Sequence, residues 1–339
     1  MRGKIKILFV YPHLSSFIKT DLEILQRHFD VIPHQWTRTR DIKNMLRVIW
    51  YILRTDLSFI WFAGGHAARV VFLSKLFRKK SIVVVGDYEV AYVPEINYGL
   101  MLNPKSARRV NYVLKNADKV LAVSEFNKRE ILKCMNEKEN EKVKLIYHGV
   151  DYNKFKPQGE KDNRLVITVG YVTNSNLKRK GLETFVRAAK FLPDVEFVLI
   201  GKHIDDSIRY LKSIAPVNVK FTGFVSEDDL LKYYQRAKVY VQVSAHEGFG
   251  LSLAEAMLCE CVPVVTNKGA ISEVVGDTGF YVVPYRDPKA TAEAIKEALK
   301  SDRGKEARER IKRMFPIEKR EEKLVSFICK IKNENYDNR

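Results

Sequence analysis

His246-Glu247-Gly248-Phe249-Gly250-Leu251-Ser252-Leu253-Ala254-Glu255-Ala256-Met257 is the stretch on which the reading of this chain turns. It follows a β-branched run at 239–243 and passes through two glycines into residues with helical spacing. Glycines at such a turn let the backbone approach a ligand closely, and the free amides of a starting helix favour an anion. A diphosphate fits that environment. Glu247 lies in the loop before the helix and Glu255 about a turn inside it, so both can reach one ligand from the same side. Carboxylates accept hydrogen bonds from sugar hydroxyls, which suits the pair to a nucleotide sugar.

A strand that turns through glycine into a helix is one βα unit, and the unit recurs on both sides. In the second half, 165–169, 196–200, 219–222, 263–266 and 280–283 join 239–243 as strands. Residues 182–191, 205–214, 228–235, 252–258 and 290–300 read as helices between them. The first half shows the same alternation. Its strands fall at 5–11, 31–36, 59–62, 82–85, 120–123 and 143–147, and its helices at 21–28, 41–54, 67–77, 105–115 and 128–135. Near-continuous apolar strands alternating with helices predict parallel sheets covered on both faces. The expected architecture is α/β: two doubly wound, Rossmann-like domains facing across a cleft at the carboxyl ends of their strands. The polar stretch 151–163, with Pro157 and Gly159, is the natural linker. The domains are placed at 1–155 on the acceptor side and 156–315 on the donor side. Within 316–339, an amphipathic helix at 316–332 is expected to cross back toward the first domain.

Composition agrees with a folded protein. At 339 residues the chain exceeds the size of one ordinary core, and 46% hydrophobic with 29% charged residues argues against disorder. No apolar run approaches the roughly 20 residues that cross a bilayer. The basic start, Met1-Arg2-Gly3-Lys4-Ile5-Lys6, gives way to Tyr11-Pro12-His13 without a cleavage signal. It reads as a first strand, and a cytoplasmic location is expected. Cys134, Cys259, Cys261 and Cys329 make no disulfide framework and no paired metal spacing. The net charge of +18 is uneven: residues 1–150 hold 26 Lys/Arg against 14 Asp/Glu, a net of +12, whereas the rest nets +6. Nucleic acid, an anionic membrane or a phosphorylated substrate could each answer that excess.

The paired glutamates, followed by Ala256-Met257 and then Val262-Pro263-Val264-Val265, resemble the group 1 (family 4) retaining glycosyltransferases of the GT-B fold. The likeness extends over essentially the whole chain and is strongest in the second half. It implies that Glu247 contacts the donor sugar and that Glu255 holds the ribose hydroxyls. Phe249, Gly250 and Leu251 are expected to bind the donor with them. A second signal, Lys178-Arg179-Lys180-Gly181, resembles the family's Lys-Gly motif, and Lys180 there neutralises the leaving diphosphate. Where relatives carry arginine after the strand-end Gly170, this chain has Tyr171, so Arg179 or Lys178 is the candidate replacement cation. Phe221-Thr222-Gly223-Phe224-Val225 resembles the segment beside the nucleobase, which places Val225 at the donor. The late loop Gly269-Ala270-Ile271-Ser272-Glu273 also matches.

The first half departs more. Pro12-His13-Leu14-Ser15-Ser16 lacks the glycine-rich loop of many relatives, and Gly86-Asp87-Tyr88 stands where many have a histidine. Asp87 and His66, the latter following Gly64-Gly65, are the candidate polar groups near substrate. No Asp-x-Asp pair suggests a metal. The resemblance implies a metal-independent, front-face transfer of a hexosyl group from GDP-mannose or a UDP-hexose, with no cofactor. The acceptor is expected to be a saccharide or lipid-linked. Basic, apolar helices at 42–54 and 69–80 with Trp50 suggest peripheral contact with an anionic membrane, on its inner face. Rival readings are a non-catalytic sugar-nucleotide-binding relative and a basic nucleic-acid-binding protein. No helix-turn-helix, RRM or zinc-finger signature supports the latter, so nucleic acid is not expected as a partner.

Overall fold

The computed structural model describes residues 4–36, 42–135 and 141–334. They divide into two compact units: residues up to His148 with those from Glu318 onward, and Gly149–Ile317. Met1-Arg2-Gly3 and the expected helix start at Asp41 lie outside the described residues.

The first unit runs β1 (Lys6–Tyr11), α1 (Ser16–His28), β2 (Asp30–Gln35), α2 (Ile42–Arg54), β3 (Leu57–Trp61), α3 (Gly65–Leu76), β4 (Lys80–Val84), α4 (Pro104–Asn116), β5 (Lys119–Ala122), α5 (Glu125–Lys133) and β6 (Val143–Leu145). Its sheet has the order β2-β1-β3-β4-β5-β6, with every pair parallel. β3 is buried at all five positions, as expected of a central strand covered on both faces. α1 begins five residues before the expected 21–28. Its buried face, Ile18, Asp21, Ile24 and Leu25, continues the helical period back through Phe17-Ile18. Asp21 thus sits inside the helix and is fully buried.

α2 is anchored by Val48 and Ile52, both fully buried, while Ile42, Leu46, Trp50 and Leu53 lie about half exposed or more along one stripe. Arg54 stacks its guanidinium 4.2 Å from the Trp50 ring. On α3, Phe72 and Leu76 are also exposed, one turn apart. No helix among the described residues is long and apolar enough to cross a membrane.

The second unit runs β7 (Asp162–Val169), α6 (Asn174–Arg179), α7 (Leu182–Ala188), β8 (Glu196–Ile200), α8 (Ser207–Ile214), β9 (Val219–Gly223), α9 (Glu227–Arg236), β10 (Ala237–Gln242), α10 (Leu251–Leu258), β11 (Val262–Val265), α11 (Ile271–Val275), β12 (Phe280–Tyr281), α12 (Pro288–Leu299) and α13 (Gly304–Met314). The sheet order β12-β11-β10-β7-β8-β9 is again all parallel and is the doubly wound Rossmann order. Three helices here have no counterpart in the sequence reading. α6 and α11 are too short for periodicity to register. α13 is largely charged and buries only Gly304, Ala307 and Ile311.

The last helix, α14 (Ile317–Glu334), belongs from Glu318 onward to the first unit. Arg320 anchors it. Its guanidinium donates to both Asp21 oxygens at 2.6 and 2.7 Å and to the carbonyls of Ile146 and Tyr147 at 3.0 and 2.8 Å. Both side chains are almost wholly out of water, so each charge depends on the other. Arg27 and His28 meet Glu321 nearby, and Lys332 pairs with Asp56.

Arg320→Ala strands Asp21 as a buried unpaired carboxylate and should cost about 3–5 kcal/mol in the first urea transition. The double variant Asp21→Leu/Arg320→Met removes both charges and should recover most of that loss. Equal loss in both variants would show that packing, not charge pairing, holds α14.

Candidate functional site

In the second unit the chain leaves β7 toward β8 and β9 on one side, then returns to β10 on the other. The loops after β7 and β10 therefore emerge side by side at the point where strand order reverses, the usual ligand position in such sheets. Two devices lock these loops together. The Ala245 amide donates to the Arg179 carbonyl at 2.7 Å. Gly181, at φ +70°, opens α7 so close to β10 that a Cβ would lie 2.4 Å from the Val243 carbonyl oxygen. Only glycine satisfies both the backbone and the space.

This contact delivers Lys180 to Glu247. The ammonium donates to Glu247 Oε2 at 2.9 Å, with Arg179 Nη1 3.8 Å from the same oxygen. The three side chains are only 14–17% exposed. Burial pushes the Glu247 carboxyl upward, but Lys180 and Arg179 outweigh it and hold the pKa below the usual glutamate range. The Glu247 backbone is fixed from behind: Ala270 donates to its carbonyl at 2.8 Å, and Gly269, at φ +64°, passes where a Cβ would meet that oxygen at 2.4 Å.

Three residues past Glu247, Gly250 takes φ +98° and starts α10. The first amides of a helix have no intrahelical acceptor, so Leu251, Ser252 and Leu253 present N–H groups at this turn. Glu255 sits further along the same helix and accepts from the Tyr234 hydroxyl at 3.1 Å. Burial pushes its pKa up to about 7, against a weaker downward pull from the Tyr234 hydrogen bond and Lys154. One glutamate of the pair is held charged by cations, and the other is poised to keep a proton near neutrality. Lys154 itself is paired with Glu227 at 3.0 Å.

The structure brings Arg179, Lys180 and Glu247 into direct contact, with Gly250, Leu251 and Glu255 following on the adjoining turn and helix. Lys178 is exposed on α6, so Arg179 is the second cation at Glu247. The Lys178–Lys180 stretch closes a short helix. Thr173 caps α6, which carries Arg179 as its last residue, and Lys180 is the C-cap. Tyr171 is 61% exposed, while its carbonyl accepts from Asn176 at 2.8 Å. Val225 is half-buried beside Phe224, which is 75% exposed. The Phe249 ring is buried edge-on against Phe315 at 5.3 Å, leaving only its backbone to the turn. Sequence reasoning did not mark Tyr234 or Asn176. Tyr234 is a buried helix residue, and its reach to Glu255 depends on how α9 packs beside α10.

The two first-unit candidates lie at the carboxyl ends of β3 and β4. His66 is buried in the first turn of α3, and its Nε2 meets the Trp61 carbonyl at 2.8 Å. Burial pushes its pKa down, with a smaller opposing effect from that bond. Its ring is committed to the core, which favours a structural part over contact with substrate. Asp87 is half-buried and accepts from the Tyr98 hydroxyl at 3.0 Å. Glu89, which sequence reasoning passed over, is nearly inaccessible and carries a pKa raised to about 7.

Residues 150–314 match the family model for glycosyl transferases group 1. The capsular polysaccharide biosynthesis glycosyltransferase CapM of Staphylococcus aureus is 28% identical, over 93% of this chain and 89% of its own. The O-antigen chain mannosyltransferase RfbU of Salmonella typhimurium strain LT2 is 28% identical over 78% of this chain and 74% of its own. The crystal structure of Anabaena HepE in complex with UDP and glucose superposes with a TM-score of 0.80 at 19% identity, covering 96% of this chain and 99% of that one. At that identity the superposition speaks for the fold, GT-B.

The Glu255 pKa predicts a stability signature. With a folded value near 7 against an ordinary 4.5, the folded state keeps a proton that the unfolded state releases. This group's contribution is therefore intact below about pH 4.5 and lost as pH rises through 7. Glu255→Gln should gain on the wild type across that window by on the order of 2 kcal/mol in urea titrations. A pH-independent difference would show that Glu255 titrates normally.

Proposed function

We propose that this chain, which matches the group 1 glycosyl transferase model over residues 150–314, is a retaining glycosyltransferase that moves a hexosyl group from GDP-mannose or a UDP-hexose to a saccharide or lipid-linked acceptor. The observation that carries the reading is the recessed Lys180–Glu247 pair, four residues before the amide-bearing start of α10. A nucleoside diphosphate brings negative charge to a site that already holds two cations on one carboxylate. Lys180 and Arg179 then divide between Glu247 and the phosphates, and the amides of 251–253 add fixed dipoles. Glu247 is left to accept from donor-sugar hydroxyls. Glu255 accepts from the ribose.

Front-face transfer needs no protein nucleophile. The leaving phosphate oxygen takes the acceptor proton as the C–O bond to the anomeric carbon breaks and the new one forms on the same face. The chain supplies positioning and neutralisation of the departing diphosphate. GDP-mannose is favoured by the likeness to a mannosyltransferase and a UDP-hexose by the likeness to a UDP-bound fold.

The exposed stripe Ile42, Leu46, Trp50 and Leu53, flanked by Lys43, Arg47 and Arg54, supports a peripheral position on an anionic membrane surface. That position suits an acceptor carried on lipid.

A melting-temperature screen against UDP-, GDP- and ADP-sugars should give a rise with a UDP- or GDP-sugar, by mass action. Lys180→Ala should slow transfer about 100-fold or more, Glu247→Ala similarly, and EDTA should leave the rate unchanged. No shift with any nucleotide sugar would refute the donor assignment. Separately, the chain should float with phosphatidylglycerol vesicles at low salt, and Ile42→Ser/Leu46→Ser/Trp50→Ser/Leu53→Ser should stay at the bottom. Equal flotation of both would dismiss α2 as the contact.

A further inference from the structure

The segment after β4, residues 86–103, is surface-exposed at Tyr88 and Tyr92 and well tied beneath them. Glu89 Oε1 accepts from the amides of Ala63 and Gly86, both at 3.0 Å. Asn127, buried at the start of α5, grips the other side of the same residue: its Nδ2 donates to the Gly86 carbonyl at 2.5 Å, while its Oδ1 accepts from the Val123 amide at 3.1 Å. The Gly86 peptide is thus clamped at both N–H and C=O by buried side chains. A Cβ at Gly86 would lie 2.8 Å from the Phe62 ring and 2.9 Å from Glu89 Oε2, so this position has no room for a side chain.

Beyond the clamp the chain is equally determined. Val93 and Tyr98 pair as an antiparallel bridge, closing a short turn over Pro94–Ile96. The Leu100 amide donates to the Tyr88 carbonyl at 2.8 Å, and Gly99, at φ +115°, passes against Ala91 where a Cβ would sit 1.8 Å from the carbonyl oxygen. The Tyr88 and Tyr98 rings lie 5.1 Å apart, and Tyr98 holds Asp87. On this fixed frame Tyr88 is 47% and Tyr92 64% exposed. Two large aromatic rings exposed on a rigid loop beside a carboxylate have the chemistry that receives a pyranose. The sugar's C–H face packs on the electron-rich ring face, and its hydroxyls reach phenol and carboxylate oxygens. Tyrosine supplies this area at low entropic cost, and a pre-ordered loop lowers it further.

We propose that the loop carrying Tyr88 and Tyr92 is a saccharide-binding platform for the acceptor's sugar, and that Glu89 with Asn127 positions it. The proposal rests on the transferase reading only in assigning that sugar to the acceptor. Binding of a sugar to the loop is a separate matter from binding of a nucleotide to the second unit. Because Glu89 acts through the lone pairs of one oxygen, glutamine can replace it and alanine cannot.

The test is saturation-transfer NMR on the full chain with the methyl α-glycosides of glucose, galactose, mannose and N-acetylglucosamine, and a parallel titration with UDP and GDP. At least one glycoside should receive saturation on its ring C–H protons. That signal should fall about fivefold or more in Tyr88→Ala/Tyr92→Ala, exposed positions where substitution leaves folding intact. It should fall similarly in Glu89→Ala and return in Glu89→Gln, with nucleotide affinity unchanged throughout. No contact with any glycoside, or contact undiminished in the tyrosine variant, overturns the platform. Glu89→Gln behaving as Glu89→Ala overturns the role given to Glu89. Loss of vesicle binding in the tyrosine variant, with glycoside contact intact, assigns the loop to the membrane and overturns the proposal. Failed nucleotide binding with an intact glycoside signal instead removes the donor reading and leaves the platform standing.

Discussion

A recessed carboxylate cannot remain charged alone, and Glu247 remains charged because Lys180 is brought to within 2.9 Å of it. Much of the local architecture of the second unit serves that one distance. Lys180 comes from the end of α6 and Glu247 from the loop after β10, so the pair forms only when β7 and β10 lie side by side. Gly181 and Gly269 remove the side chains that would hold the two backbones apart. The net worth of such a pair to stability is small, since desolvation consumes most of the attraction. Its value is positional: it holds two cations at a strand-order reversal, where the proposed diphosphate would bring more negative charge than one glutamate.

The first unit uses the same rule for another purpose. Asp21 and Arg320 lie almost 300 residues apart in sequence, and each is buried only because the other is present. Their bidentate contact fixes α14 on α1, and the two extra bonds to Ile146 and Tyr147 tie it to the segment after β6. On α2, by contrast, an apolar stripe stays outside. A helix anchored by only two fully buried side chains retains a face that water solvates poorly. That face is the physical basis of the proposed contact with a membrane surface.

Much of the fold was legible because buried parallel strands are written as short β-branched runs, and eleven or so residues with apolar positions at helical spacing are hard to read otherwise. Every expected strand and helix has its counterpart, mostly within two residues. The exceptions have causes. α1 starts at Ser16 because Ile18 already belongs to its buried face, with Phe17 partly buried beside it. α13 was invisible because a charged helix that buries Gly304, Ala307 and Ile311 looks like a solvated loop. Within the site, Glu247, Glu255 and Lys180 were marked by local pattern, whereas Tyr234, Asn176 and Glu89 carry no local mark. A tyrosine on an amphipathic helix, or a glutamate a few residues past a strand, takes its meaning from what packs against it.

The sequence by itself therefore determined the two parallel α/β sheets, the glycine turn into α10 and the identity of the charged groups around it, because periodicity and turn chemistry are local properties. Only the tertiary structure decided which charges meet, that Arg179 rather than Lys178 joins Lys180, and that Phe249 turns its ring inward. It alone set the two glutamates apart, one held ionised by cations and one whose pKa burial raises to about 7. Desolvation and Coulomb attraction act through space over a few ångströms, and the chain's neighbours in space are not its neighbours in sequence.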